Sequence, residues 1–313
     1  MSKPTPTGPR MIIDCDPGVD DAMAFIAAAR WADLVGITTV AGNVPLVHTT
    51  ANACRLRSLL GLDVEIHSGA DGPLVGVQEF ATHVHGETGL GDVVLPESDR
   101  GADSDDAVGY LVETTRSEEG LHLVPIGPLT NVALALRADP GLADRVASIT
   151  LMGGSALGVG NVSAVAEFNV FADPEAADEV FRSGARLTMI GLNLTHQVRM
   201  GAVHAAQCRT VGSPVGDAMT GLLEFYTKFH LAEEEVSDGP VHDPCAVLAV
   251  THPELFTLED RHVQVELAGS HTRGMTLVDE RGPRASAAAN CRVAYGVDAD
   301  AVIALVMQAV REG

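Results

Sequence analysis

Short apolar runs alternate with amphipathic stretches over the first two-thirds of the chain. Residues 11–13 form a continuous apolar run, the pattern of a strand buried on both faces in a parallel sheet. Pro17-Gly18 breaks the run, and residues 20–30 carry a helical pattern. Residues 34–40 predict a second strand. Residues 49–60 predict a helix with Ala53, Leu56, Leu59 and Leu60 on one face, and 64–67 a third strand. After a long interruption come a helix at 106–117, a strand at 121–126, a helix at 129–138 and a strand at 146–152. A helix at 176–182 and a strand at 187–190 close this part. Such alternation predicts an α/β fold with an open, mostly parallel sheet and helices on both faces. The tail reads as extra short strands at 263–267, 275–278 and 291–294, then a helix at 301–310.

Two segments break the rhythm. Residues 68–104 and 153–170 lack a clear period and are rich in Gly and polar residues, as functional loops and lids often are. With no repeat and no linker, the chain reads as a disordered lead-in at 1–10 and a single catalytic domain at 11–313. In open α/β sheets ligands sit outside the carboxyl ends of the strands. Residues 14–21, Asn43, Ile126 and the 153–169 loop all follow strand ends, so they are expected to share one rim.

The first strand-to-helix turn carries Asp14, Asp16, Asp20 and Asp21. A helix cap needs one carboxylate; converging carboxylates repel, and a hard cation with oxygen ligands removes the conflict. The helix N-terminus favours Asp20 and Asp21 in the first turn. The formal net charge of −22 argues against nucleic acid or an anionic membrane as partner. Cys15, Cys54, Cys208, Cys245 and Cys291 are scattered and form no C-x-x-C pair, which suggests reduced thiols in a cytoplasmic protein. No apolar stretch approaches the ~20 residues of a membrane helix.

Further polar groups cluster downstream. Asn161, Glu167 and Asn169 offer donors and acceptors suited to sugar hydroxyls, or form a solvated loop. His242-Asp243-Pro244 pairs an imidazole with a carboxylate, or simply starts a helix with Pro at its first position. His83 and His85 lie in the long loop and read as a cavity wall rather than a metal site. A phosphate-binding G-x-x-x-x-G-K-[ST], a G-x-G-x-x-G after a strand and a G-x-S-x-G are all absent. Asp14-Cys15-Asp16 admits a haloacid-dehalogenase-like phosphatase, although Gly18 stands where that pattern expects Thr or Val. A non-catalytic nucleoside- or ribose-binding protein is a further alternative.

Seven motifs occur in one order: Asp-Cys-Asp-Pro-Gly-Val-Asp-Asp at 14–21, Thr-Val-Ala-Gly-Asn at 39–43, His-Gly-Glu-Thr-Gly at 85–89, Pro-Ile-Gly-Pro-Leu-Thr-Asn at 125–131, Leu-Met-Gly-Gly at 151–154, Ala-Glu-Phe-Asn at 166–169 and Val-His-Asp-Pro at 241–244. Together they strongly resemble the nucleoside hydrolases of the inosine-uridine-preferring type. The resemblance implies a Rossmann-like fold, calcium-dependent hydrolysis of the N-glycosidic bond of ribonucleosides, a place in purine and pyrimidine salvage, and a homodimer or homotetramer. It also assigns roles. Asp16 is the expected general base and, with Asp21, Asp243 and the Ile126 carbonyl, a ligand of Ca2+. Asp20 and Asn169 are expected to bind the ribose 2′- and 3′-hydroxyls, and Asn161 and Glu167 the 5′-hydroxyl. Asn43 lines the site near water and ribose, His242 faces the base and assists its departure, and His85 contacts the base from the loop. Three departures stand out. Ile126 replaces a frequent Thr, His230 stands where relatives carry an aromatic residue, and 155–160 is one residue longer. The last two leave the preferred base open.

Overall fold

In the computed structural model, residues 8–285 and 287–313 are described. Among the described residues twelve strands run in chain order: β1 (Arg10–Cys15), β2 (Asp33–Thr39), β3 (Glu65–Ser68), β4 (His122–Pro125), β5 (Ser148–Met152), β6 (Leu187–Ile190), β7 (Arg199–Gly201), β8 (Asp238–Pro240), β9 (Phe256–Arg261), β10 (Val263–Val265), β11 (Thr276–Val278) and β12 (Cys291–Val297). Eight of them build one sheet in the order β3-β2-β1-β4-β5-β6-β12-β9. Every pairing in it is parallel except β12 with β9 at the edge. The open, mostly parallel sheet and single α/β domain expected from the sequence are therefore present.

Strand alternation explains why both faces are covered. Met11, Ile13 and Cys15 of β1 enter one hydrophobic core, and Ile12 enters the other. The first core is filled by Val19–Trp31 (α1), Pro214–Glu234, Asp243–Thr251 and Ala299–Glu312. The second is filled by Ala107–Ser117, Thr130–Ala138 and Pro174–Arg182. In α1 every residue from Val19 to Ala28 is buried, so this helix is enclosed all round rather than amphipathic.

The sheet reverses its winding between β1 and β4, which are neighbours although the chain builds β2 and β3 between them. That reversal leaves a crevice at the carboxyl ends of β1 and β4, where Asp16 and Ile126 follow their strands.

Several expectations change in detail. The lead-in assigned to 1–10 falls, at 1–7, outside the described residues. Beyond it the Pro9 carbonyl already accepts from the Asp33 amide and β1 begins at Arg10. The tail strands divide: β10 and β11 form a separate antiparallel pair, while β12 joins the main sheet beside β6. The alternation of the early chain did not announce β9, the β7–β8 pair or the helix Pro214–Glu234. The long 68–104 stretch holds only one short helix, Thr82–His85, before Ala107–Ser117. All five cysteines are free and buried, as reduced thiols would be. Among the described residues no helix is long and apolar enough to cross a membrane.

Phe25 is fully buried in α1 between the sheet and its neighbouring helices. Phe25→Ala is expected to destabilise the protein by about 3–5 kcal/mol. The check is a urea titration, where the midpoint should fall at unchanged m-value.

Candidate active site

The turn after β1 is tied by the residues it carries. Gly18 caps α1, and Asp21, in the first turn, reaches back so that Oδ2 accepts from the Gly18 amide at 2.8 Å. Asp21 Oδ1 accepts from the Asp16 amide at 3.2 Å. Asn43, after β2, locks the arrangement from the side. Its backbone donates to Asp16 Oδ2 at 2.7 Å, and its Nδ2 donates to the Asp16 carbonyl at 3.1 Å and Asp21 Oδ2 at 3.2 Å. Two glycines make room for Asp16: a Cβ on Gly42 would lie 2.0 Å from its Oδ2, and one on Gly127 2.6 Å from its Oδ1. Asp16 Oδ1 itself is buried without a hydrogen-bond partner.

Carboxylate oxygens of Asp20, Asp21 and Asp243 lie within 4.8 Å of one another. Asp243 opens the helix Asp243–Thr251, with Pro244 directly behind it. Burial, followed by neighbouring negative charge, pushes Asp16 and Asp243 well above the usual carboxylate range. Burial and then Asp20 raise Asp21 to about 7. Asp20 rises to about 6 through burial, opposed by the backbone amides of Asp20, His242, Asp21 and Asp243. An all-oxygen donor set, crowded negative charge and an orphaned Asp16 oxygen fit a hard cation.

Asp14 does not join this group. It still belongs to β1, and its Oδ1 accepts from Thr38 Oγ1 at 2.6 Å and Asn131 Nδ2 at 2.8 Å. Asn131 also donates to the Thr39 carbonyl and accepts from the Ala70 amide, so it ties the ends of β1 and β2 to the following loop.

A cavity of about 210 Å³ opens over the acidic group. Asp20, Asn43, Ile126 and Asp243 line its floor side. Asn161, Glu167 and Asn169 contribute from the 153–169 segment. His85, His230 and His242 also face it. The shared rim expected from the sheet geometry is thus assembled, with Asp16 and Asp21 fully buried behind it.

The hydroxyl-binding candidates are held by backbone. Glu167 caps the short helix Phe168–Ala172, and its carboxylate accepts from the amides of Gly154, Asn169 and Val170 at 2.8, 2.8 and 3.1 Å. Burial outweighs those bonds and pushes Glu167 up to about 7. Asn169 Nδ2 donates to the Ile126 carbonyl at 2.9 Å and the Met152 carbonyl at 3.2 Å. Asn161 is exposed at the mouth, where its Oδ1 accepts from the Phe168 amide at 3.0 Å.

Burial disfavours the charged forms of His242 and His85. His242 Nδ1 pairs with the fully buried Thr195 hydroxyl at 2.8 Å, and burial followed by the charge of His196 pushes His242 down to about 3. His85 Nδ1 accepts from the Val19 amide at 3.2 Å, and burial followed by His83 pushes it down to about 3. His230 packs edge-on to Tyr226, ring centroids 4.5 Å apart.

Sequence reasoning missed Tyr226 and Phe229, which share the cavity wall with His230, and Thr195 behind His242. Helical spacing of Val215, Met219, Leu222, Tyr226 and His230 was a usable signal for the first group. Thr195 gave no signal, because only the fold brings it beside His242.

The family model described as inosine-uridine preferring nucleoside hydrolase matches residues 11–304. The chain belongs to this family. It is a nucleoside hydrolase, an enzyme that breaks N-glycosidic bonds, and the phosphatase and pure binding-protein alternatives give way. An inosine-uridine preferring nucleoside hydrolase of Leishmania major is 43% identical over 309 residues, covering 96% of this chain and 97% of that one. A pyrimidine-specific ribonucleoside hydrolase of Shewanella woodyi is 40% identical, covering 96% and 97%. Among solved structures, a purine-preferring ribonucleoside hydrolase from Gardnerella vaginalis superposes with a TM-score of 0.91 at 33% identity, covering 97% of this chain and 98% of that one.

Gly18 is a second tight point of this nucleoside hydrolase site, after Gly42. A Cβ there would lie 2.5 Å from His85 Nδ1 and 2.7 Å from Asn43 Nδ2. Its φ of −107° suits any residue, so Gly18→Ala should leave α1 intact while displacing both side chains. Misplacement on this scale is expected to cost about 10²-fold in kcat/KM. Ribose-release kinetics beside an unchanged far-ultraviolet circular dichroism spectrum would check it.

Proposed function

We propose that this nucleoside hydrolase converts ribonucleosides to free base and ribose with Asp16 as general base. The supporting observation is the buried, unpartnered Asp16 Oδ1 beside the acidic group at the floor of the cavity. Its other oxygen is fixed by the Asn43 amide, so one oxygen is positioned and one is left for a proton.

Asp16, Asp21, Asp243 and the Ile126 carbonyl would hold the cation, and Asp20 is close enough to share it. Calcium suits a set of this many protein oxygens better than magnesium, which keeps more of its water. When bound, the cation neutralises the carboxylates and makes neighbouring water and hydroxyl groups more acidic.

The remaining roles follow from how each side chain is held. Asp20 and Asn169 sit at the floor, suited to the ribose 2′- and 3′-hydroxyls, with Asn43 beside them. Glu167 and Asn161, toward the other wall and the mouth, suit the 5′-hydroxyl. Cleavage builds positive charge on the ribose, and a pocket rich in carboxylates stabilises it. Asp16 removes a proton from water attacking C1′ from the acidic floor, which implies inversion there. His242 uses Nδ1 on Thr195, which leaves Nε2 for the departing base; a neutral imidazole there acts as a hydrogen-bond donor rather than as a charged acid. His85 and His230 contact the base beside it. Relatives with purine, pyrimidine and mixed preferences all match, which leaves this chain's preferred base open, and we assign the choice to the His230 wall together with residues 155–160.

A cytoplasmic homodimer or homotetramer serving nucleoside salvage completes the reading, with a small-molecule substrate and neither nucleic acid nor membrane as partner. The strongly acidic chain and its free cysteines support it.

The deciding experiment is a reducing-sugar assay over inosine, adenosine, guanosine, uridine and cytidine with matched 2′-deoxynucleosides. Ribose should appear without added phosphate, vanish after exhaustive chelation, return with calcium, and fall sharply for deoxy substrates. No ribose from any of them, with calcium shown bound, would overturn ordinary nucleoside hydrolysis. Asp16→Asn should lower kcat by at least about 10²–10⁴-fold in single-turnover kinetics. Near-normal turnover by the calcium-loaded variant would remove Asp16 from the role of base.

A further inference from the structure

We propose that Asn52 is a positioning residue for His85: its side-chain amide latches the 82–91 loop to the acidic turn and so holds the His85 ring over the cavity. The inference rests on the hydrolase reading, but its geometry stands apart from the chemistry.

Asn52 lies in the helix Leu46–Leu59 (α2), almost fully buried and outside the cavity lining. Its Nδ2 donates to the Pro17 carbonyl at 3.1 Å and to the Thr88 carbonyl at 2.6 Å. Both amide protons are therefore used, one on the turn that carries the acidic group and one on the loop three residues past His85. The backbone allows this approach only because the loop has no side chain there. Gly89 has φ 98°, and a Cβ on it would lie 2.8 Å from both Asn52 Nδ2 and the Pro17 oxygen. A Cβ on Gly91 would lie 2.4 Å from the Phe225 ring.

The loop transmits that anchor to His85. The Gly91 amide donates to the His85 carbonyl at 2.8 Å and the Gly86 amide to the Thr82 carbonyl at 2.8 Å, which closes the segment on itself. His85 meets the acidic turn through the Val19 amide, which stands at the start of α1 where no intrahelical acceptor exists. Glu87 and Thr88 are exposed, so apart from Leu90 and the half-buried Val84 little apolar burial holds this segment down. Losing the Asn52 bonds frees Thr88, and the weaker His85–Val19 bond goes with it.

The test compares wild type, Asn52→Asp, His85→Ala and the double variant. Asn52→Asp keeps the shape and replaces a double donor by an acceptor facing two carbonyl oxygens. Asn52→Leu, similar in volume and uncharged, serves if the aspartate variant does not fold. Amide hydrogen exchange should accelerate at residues 86–91 and at Val19 in the Asn52 variant, and at Val19 in His85→Ala. With the best substrate among the five ribonucleosides, Asn52→Asp should lower kcat/KM about 10–100-fold, and the double variant should be no worse than His85→Ala alone. Calcium affinity should be unchanged. Losses that multiply in the double variant, a loss that tracks calcium affinity, or unchanged exchange at Val19 would overturn the proposal. If no protein releases ribose, the hydrolase reading fails, and the Val19 exchange alone still decides whether Asn52 holds His85.

Discussion

The burial of four neighbouring carboxyl groups, with mutual repulsion added to the loss of water, is the constraint around which this protein is arranged. Asp16, Asp20, Asp21 and Asp243 are all buried, and every one is driven above the ordinary carboxylate range. A fold tolerates such a cluster only if backbone dipoles and amides offset part of the cost. Here the amides at the starts of two helices do so. Those of α1 serve Asp20 and Asp21, and those of residues 242 and 243 serve Asp20. The residual charge is what suits the site to a cation.

Asp20 and Asp21 follow β1 as Asp16 does and Asp243 follows β8 outside the main sheet, while the groups that hold the cluster in register come from the central strands. Asp16 leaves β1, Asn43 follows β2 and Ile126 follows β4. Asn131 binds the ends of the first two through Asp14 and the Thr39 carbonyl. The Asp14 carboxylate thus ties strand ends together, two residues before Asp16, for which we propose a chemical task. His85 and His242 line the cavity beside this acidic group, one bonded to the Val19 amide and the other next in the chain to Asp243, and burial disfavours their charged form.

The main sheet was legible in the sequence because its strands are short, largely apolar runs such as 11–13 and 146–152, separated by helix-like segments. The rim was legible for the same reason: strand ends identify it once parallel order is inferred. Legibility failed where pairing is nonlocal. Nothing in residues 256–261, which alternate exposed and buried positions weakly, reveals an antiparallel partner in 291–297. Asp14 could not be separated from Asp16 by spacing alone, since the difference lies in Thr38 and Asn131, brought up from other elements. Thr195 was invisible likewise, whereas the helix bearing Tyr226 and His230 had a readable period.

The place of β12 has a consequence for how the chain is made. β6 ends at Ile190, yet the strand that covers its free side begins at Cys291. While a ribosome synthesises the intervening hundred or so residues, β6 is an apolar strand with an open edge. Closing that edge with a parallel partner so distant in sequence is a slow, high-contact-order step. Maturation of the sheet, and with it full burial of the core against Ala299–Glu312, therefore waits until residues 291–297 have been made, and a chain lacking them leaves the β6 edge open for self-association.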